Sequence, residues 1–138
     1  MTPAQVLAAI LSIFPHMSGN NRACIEERHD RIVQQLTETV AVGVPAPLMA
    51  AVAFMETHLG CDLHEGGNWG APINREHRHT AGTHLNAAHV LMVGLARCGT
   101  WDGSVSRFRS GLCRTQRPYV VRYVRGVNAL VRRIEAWR

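Results

Sequence analysis

Apolar residues recur along this chain at intervals of three and four, the spacing of helices that bury one face, and no stretch alternates with the period of two that marks a half-buried strand. The start, Thr2-Pro3-Ala4-Gln5, offers a capping hydroxyl, a proline at the first helical position and a glutamine at the third, followed by an apolar stretch to Phe14. Ser18 to Asn21 reads as a loop. A second helix is expected from about Arg22 to Val40, with Ile25, Ile32, Val33, Leu36 and Val40 inward and Glu26, Glu27, Arg28, Arg31 and Gln34 outward. Gly43 to Pro47 breaks the pattern. Leu48 to about His58 then resumes as an apolar helix fit for the centre of the core.

Residues Gly60 to Thr83 show no sustained period and are rich in Gly, His, Asn and Arg, so a long loop is expected there, with the site beside it. Leu85 to Cys98 is again helical, Thr100 caps a short helix from Trp101 to about Phe108, and Pro118 opens the last one. In that last helix Val120, Val124, Val127, Val131 and Ile134 form the buried stripe, with Arg122, Arg125, Arg132 and Arg133 facing elsewhere. The expected fold class is therefore all-α, one domain over 1–138, with 1–40 as N-terminal helices and 41–138 as the core that carries chemistry.

Composition narrows the classes. With 138 residues, 46% of them hydrophobic, the chain is large enough to bury a core without a metal or disulfide to staple it. Its longest apolar run is far short of the roughly 20 residues of a membrane span. The apolar stretch before Phe14 has no basic flank, the first cation being Arg22, so it reads as a structural helix and not as a secretory signal. The charge of +5 is lopsided: residues 1–96 hold 5 Arg against 8 acids, while 97–138 hold 10 Arg against Asp102 and Glu135. Such a basic third attracts polyanions in general. All 15 basic residues are Arg, which reads first as a compositional bias. With no recognition-helix pattern, and aromatics not interleaved with the arginines, nucleic acid is not the expected partner.

Four cysteines, Cys24, Cys61, Cys98 and Cys113, form no CxxC pair and allow three pairings or four reduced thiols. A bridge between Cys98, which closes one helix, and Cys113, which follows the next, suits an oxidising compartment. His58, Cys61 and His64 form a ladder of zinc-type ligands, continued by His77, His79, His84 and His89, but without HExxH or paired cysteines. No metal and no cofactor are expected.

Glu56 is the most informative residue. It stands in the last turn of the apolar helix, with Met49, Val52 and Ala53 beneath it at one- and two-turn spacing. Partial removal from water favours the protonated carboxyl, the form that donates a proton to a leaving oxygen. Val44-Pro45-Ala46-Pro47-Leu48-Met49-Ala50-Ala51-Val52-Ala53-Phe54-Met55-Glu56-Thr57 resembles the segment of soluble lytic transglycosylase and goose-type lysozyme domains in which an apolar helix delivers the catalytic glutamate. Downstream, Trp101 to Gly111 resembles the helix ending in that family's aromatic-Asn-x-Gly motif, and Tyr119-Val120-Val121-Arg122-Tyr123-Val124 resembles its tyrosine-bearing final helix. The resemblance spans roughly residues 40–128.

The resemblance implies a lysozyme-like domain that cleaves the β-1,4 bond between N-acetylmuramic acid and N-acetylglucosamine in peptidoglycan, with Glu56 as acid and then base. In a lytic transglycosylase the substrate's acetamido group and the muramoyl 6-hydroxyl replace a second carboxylate. A hydrolytic lysozyme of the same fold would use one to direct water, and Asp62, Glu65 and Glu76 are candidates. A non-catalytic wall-binding or structural module is the other alternative. Substrate contacts are expected from Thr57, Asn68, Trp69, Gly70, Phe108, Arg109, Ser110, Tyr119 and Tyr123, while Trp101 is expected to pack inside. The chain departs from the family in three places. Gly70-Ala71-Pro72-Ile73 stands where Gly-Leu-Met-Gln is usual, leaving Asn68 or Asn74 to replace the glutamine. Arg109 stands where Asn is usual, and Phe108 where Tyr is frequent. The expected partner is the glycan strand and the expected state a monomer acting on the cell wall, delivered by phage lysis or as part of a longer exported chain.

Overall fold

The computed structural model describes residues 1–62, 69–70 and 84–137, and among them it is all-helical. Seven helices follow in order: α1 Pro3–Ile13, α2 Gly19–Glu27, α3 His29–Val42, α4 Ala46–Thr57, α5 His84–Cys98, α6 Trp101–Ser110 and α7 Pro118–Ala136. The expected segment from Gly60 to Thr83 lies largely outside the described residues.

α1 begins as its capping pattern dictates. The Thr2 hydroxyl accepts from the Gln5 amide, and the Gln5 side chain accepts in return from the Thr2 amide. Val6, Leu7, Ala9 and Ile10 are fully buried, so this apolar segment is an integral helix of the core. The single helix expected from Arg22 to Val40 is in fact two, meeting at Arg28. Ser18, expected in a loop, caps the first of them by accepting from the Asn21 amide at 3.2 Å. The apolar spacing runs through the junction, which is why periodicity alone joins the two.

α4 is the centre of the core. Nine of its residues, from Ala46 to Thr57, are buried, and it packs on α1, α3 and α7. Phe54 stacks on Phe14 at the end of α1, with ring centroids 4.5 Å apart. α5 packs on α3 and α6, and α6 on α7. The α5–α6 crossing is close: a β-carbon on Gly94 would stand 2.6 Å from the Ser104 hydroxyl, which itself donates to the Leu91 carbonyl at 2.6 Å. In α7 Val120, Val127, Leu130 and Ile134 are buried and Val124 and Val131 partly so, while Arg122, Arg125, Arg132 and Arg133 lie outside. No described helix is long and apolar enough to cross a membrane.

All four cysteines are paired, Cys24 with Cys61 and Cys98 with Cys113. The second bridge clamps the end of α5 to the segment between α6 and α7. The first ties α2 to the turn that follows Glu56.

Candidate active site

Glu56 occupies the penultimate position of α4, and the chain turns sharply just beyond it. His58 and Leu59 both take positive φ, 52° and 59°, a region costly for residues with a β-carbon. Several contacts hold that turn. The Thr57 hydroxyl accepts from the Gly60 amide at 2.9 Å and donates to the Ala53 carbonyl at 3.4 Å, closing the helix end. His58 bonds Asp62 at 2.8 Å, Asn21 of α2 donates to the same carboxylate oxygen at 3.3 Å, and the Cys24–Cys61 bridge fixes the turn covalently.

The Glu56 side chain is only 12% exposed, and three distant parts of the chain meet on it. From the last turn of α6, the Arg109 Nη1 lies 3.6 Å from the Glu56 Oε2. From α7, the Tyr123 hydroxyl is buried beside the same carboxylate. Burial is the largest influence on that phenol; the negative charge of Glu56 and donation toward it act in the same sense, against a smaller opposing effect of Arg109, so its pKa stands far above the usual 10. Among the described residues the hydroxyl meets no acceptor at full hydrogen-bond geometry. Charge and proximity to Glu56 therefore define this contact more than a formed bond does. The Arg109 guanidinium also sits over the Tyr123 ring, 5.4 Å from its centroid. The third contributor is Gly70, at φ 94°: a β-carbon there would stand 2.6 Å from both Cβ and Cγ of Glu56, so glycine is what lets this backbone pass against the acid.

Of the residues expected at the site, Glu56, Gly70, Arg109 and Tyr123 come together. Others do not present themselves to a substrate. Trp69 is 1% exposed and makes an edge contact with His84, so its indole face is not an open platform for a sugar. Phe108 is likewise buried, in the core. The Ser110 hydroxyl is committed to the end of α6, donating to the Ser106 carbonyl at 2.8 Å and accepting from the Leu112 amide at 3.2 Å. Tyr119 is exposed one turn before Tyr123, and it is Tyr123 that faces Glu56. Trp101 packs against the core. Asn68, Asn74, Glu65 and Glu76 lie outside the described residues, as do His64, His77 and His79.

Asp62, a candidate for a second carboxylate, is engaged by His58 and Asn21. Cys61 is consumed by its disulfide, which removes the thiolate from the histidine ladder. His84 pairs with Glu38 at 2.5 Å across to α3. No sequence signal points to the Glu38–His84 contact: Glu38 stands in no motif, and His84 figures only among the zinc-type histidines. Recesses elsewhere, about 330 Å³ between α6 and α7 and about 550 Å³ beside Pro45, Leu48 and Trp101, are not lined by Glu56.

Comparison with protein-family profiles, with curated proteins and with solved structures finds no match for this chain.

Proposed function

We propose that the chain is a peptidoglycan-cleaving glycosidase, a lytic transglycosylase in the first instance, with Glu56 as general acid and then base. One observation carries the reading. Three segments that the sequence singles out separately, the end of α4, the end of α6 and the middle of α7, place Glu56, Arg109 and Tyr123 on one another. A carboxyl group 12% exposed, at the end of a helix buried on nearly every side, is held in one position.

The chemistry follows from those positions. Glu56 in its acid form donates a proton to the glycosidic oxygen as the C–O bond breaks, and the resulting carboxylate recovers a proton from the incoming hydroxyl. In a transglycosylase that hydroxyl is the muramoyl 6-OH, and the product is an anhydro sugar. Tyr123 keeps its phenolic proton, and its buried hydroxyl stands beside the Glu56 carboxyl group. Asp62 is tied to α2 and to His58, which supports the substrate-assisted route over one with a second carboxylate from this turn.

The test is mass spectrometry of soluble products released from purified peptidoglycan, comparing the intact chain with Glu56→Gln. Anhydro-muropeptides should form with the intact chain and fall by about 10²–10⁴-fold with the variant. Products heavier by one water and equally dependent on Glu56 would make the enzyme a hydrolytic lysozyme. Equal background from both proteins on several wall types would replace the catalytic reading with that of a wall-binding module.

A further inference from the structure

Arg109 stands where the resembled motif carries a neutral amide, and its surroundings say what it is free to do. Its side chain is 46% exposed while Glu56 beneath it is 12% exposed, so the cation lies at the mouth of the site and the acid at its floor. At 3.6 Å the contact between them is an ion pair too long for a hydrogen bond. The stacking on Tyr123 holds the guanidinium in place without consuming any of its five N–H donors. A planar fork of that kind recognises carboxylates by paired hydrogen bonds. The charge balance of the reaction adds a second argument. To act as an acid Glu56 must carry a proton, and Arg109 then loses its counter-charge; an anion supplied by the substrate would restore it.

We infer that Arg109 selects substrates whose sugar beside the scissile bond carries a free carboxylate, that is, a muramoyl residue without its peptide stem. The inference rests on the cleavage reading above. It requires the carboxylate to be on the sugar itself, because Arg109 touches the very group that protonates the glycosidic oxygen. Carboxylates of a peptide stem begin further from that bond.

Three strand preparations test it: peptide-free glycan with its lactyl carboxylates free, the same glycan with them converted to methylamides, and peptide-bearing strands. The intact chain should prefer the free carboxylate over the amide by about tenfold or more in kcat/KM, the scale of a charge-assisted hydrogen bond. Arg109→Gln should bring that ratio to about one whatever its absolute rate, and Arg109→Lys, which keeps the charge but not the fork, should give a ratio between the two. The lysine variant also guards against misfolding of the glutamine one. A ratio near one in the intact chain, an unchanged ratio in Arg109→Gln, or a preference for peptide-bearing strands overturns the inference. Calorimetric binding of the free and amidated glycans to Glu56→Gln and to Glu56→Gln/Arg109→Gln gives a readout independent of turnover. Absence of cleavage with a retained Arg109-dependent binding ratio would remove the cleavage reading and leave the carboxylate selection standing; cleavage with no such ratio would do the reverse.

Discussion

α4 and α7 each bring one member of the Glu56–Tyr123 pair to the site, yet they are built on opposite principles. α4 is apolar nearly all round, and nine of its twelve residues are buried, so its position is set by neighbours on most sides, with Met55 left exposed. α7 buries one stripe, Val120, Val127, Leu130 and Ile134, and exposes arginines on the other. A helix gripped on most of its faces has little freedom to rotate or slide, which suits the general acid proposed at Glu56. A helix gripped on one face carries a side chain inward at lower cost and leaves its outer surface open to change. Alterations should therefore be felt far more along α4 than along the outside of α7.

The largest effect is expected at Met49. It is 0% exposed, two helical turns below Glu56, and its truncation leaves a void that neighbours such as Ala53 are too small to fill. Met49→Ala should cost about 2–5 kcal/mol of unfolding free energy, measured by chemical denaturation. A cost below about 1 kcal/mol would mean that α4 can settle into the gap, and the contrast with α7 would lose its basis.

Tyr123 stands on the inward side of α7. Its pKa is raised in the folded state, so above pH 10 the unfolded chain sheds a proton that the folded chain keeps. The tyrosine's contribution is fully present below pH 10 and is lost as pH rises beyond it, at a slope of about 1.4 kcal/mol per pH unit. Tyr123→Phe should unfold with less alkaline dependence by about that slope, which denaturation midpoints between pH 9 and 11 would detect. Parallel pH curves for the two proteins would place the phenol in water and detach it from Glu56.

Much of this arrangement was legible in the sequence because helices announce themselves locally. The capping pair Thr2 and Gln5, the proline starts at Pro3 and Pro118, and the valine spacing in α7 all act within a few residues of one another. Glu56 stands out in part for the same reason, as the lone acid in an apolar helix, but its segment's resemblance is what singles it out as a candidate acid. What failed to show depends on contacts between distant segments. The break at Arg28 does not interrupt the apolar spacing. Trp69 stands among glycines and polar residues that speak for exposure, yet it is buried against His84. Phe108 fits a motif that lines a cleft, but its place on α6 turns it into the core. The Cys24–Cys61 pairing joins residues 37 apart in sequence, and four cysteines alone allowed it only as one choice among several.

The smallest effect is expected on the outer face of α7. Arg122 is exposed, and Arg125 stands three residues on, where helical neighbours of like charge repel by a few tenths of a kcal/mol. Among the described residues, Arg22 and Arg109 are the arginines that form ion pairs, so Arg122→Ala removes no such contact. Alanine favours the helix slightly more than arginine does. The variant should thus change stability by no more than about 0.5 kcal/mol, on the stabilising side at low salt. The gain should fade at 1 M salt, where screening acts over about 3 Å. Denaturation curves at the two salt concentrations would show this, and a destabilisation above about 1 kcal/mol would mean that the basic face holds the fold together after all.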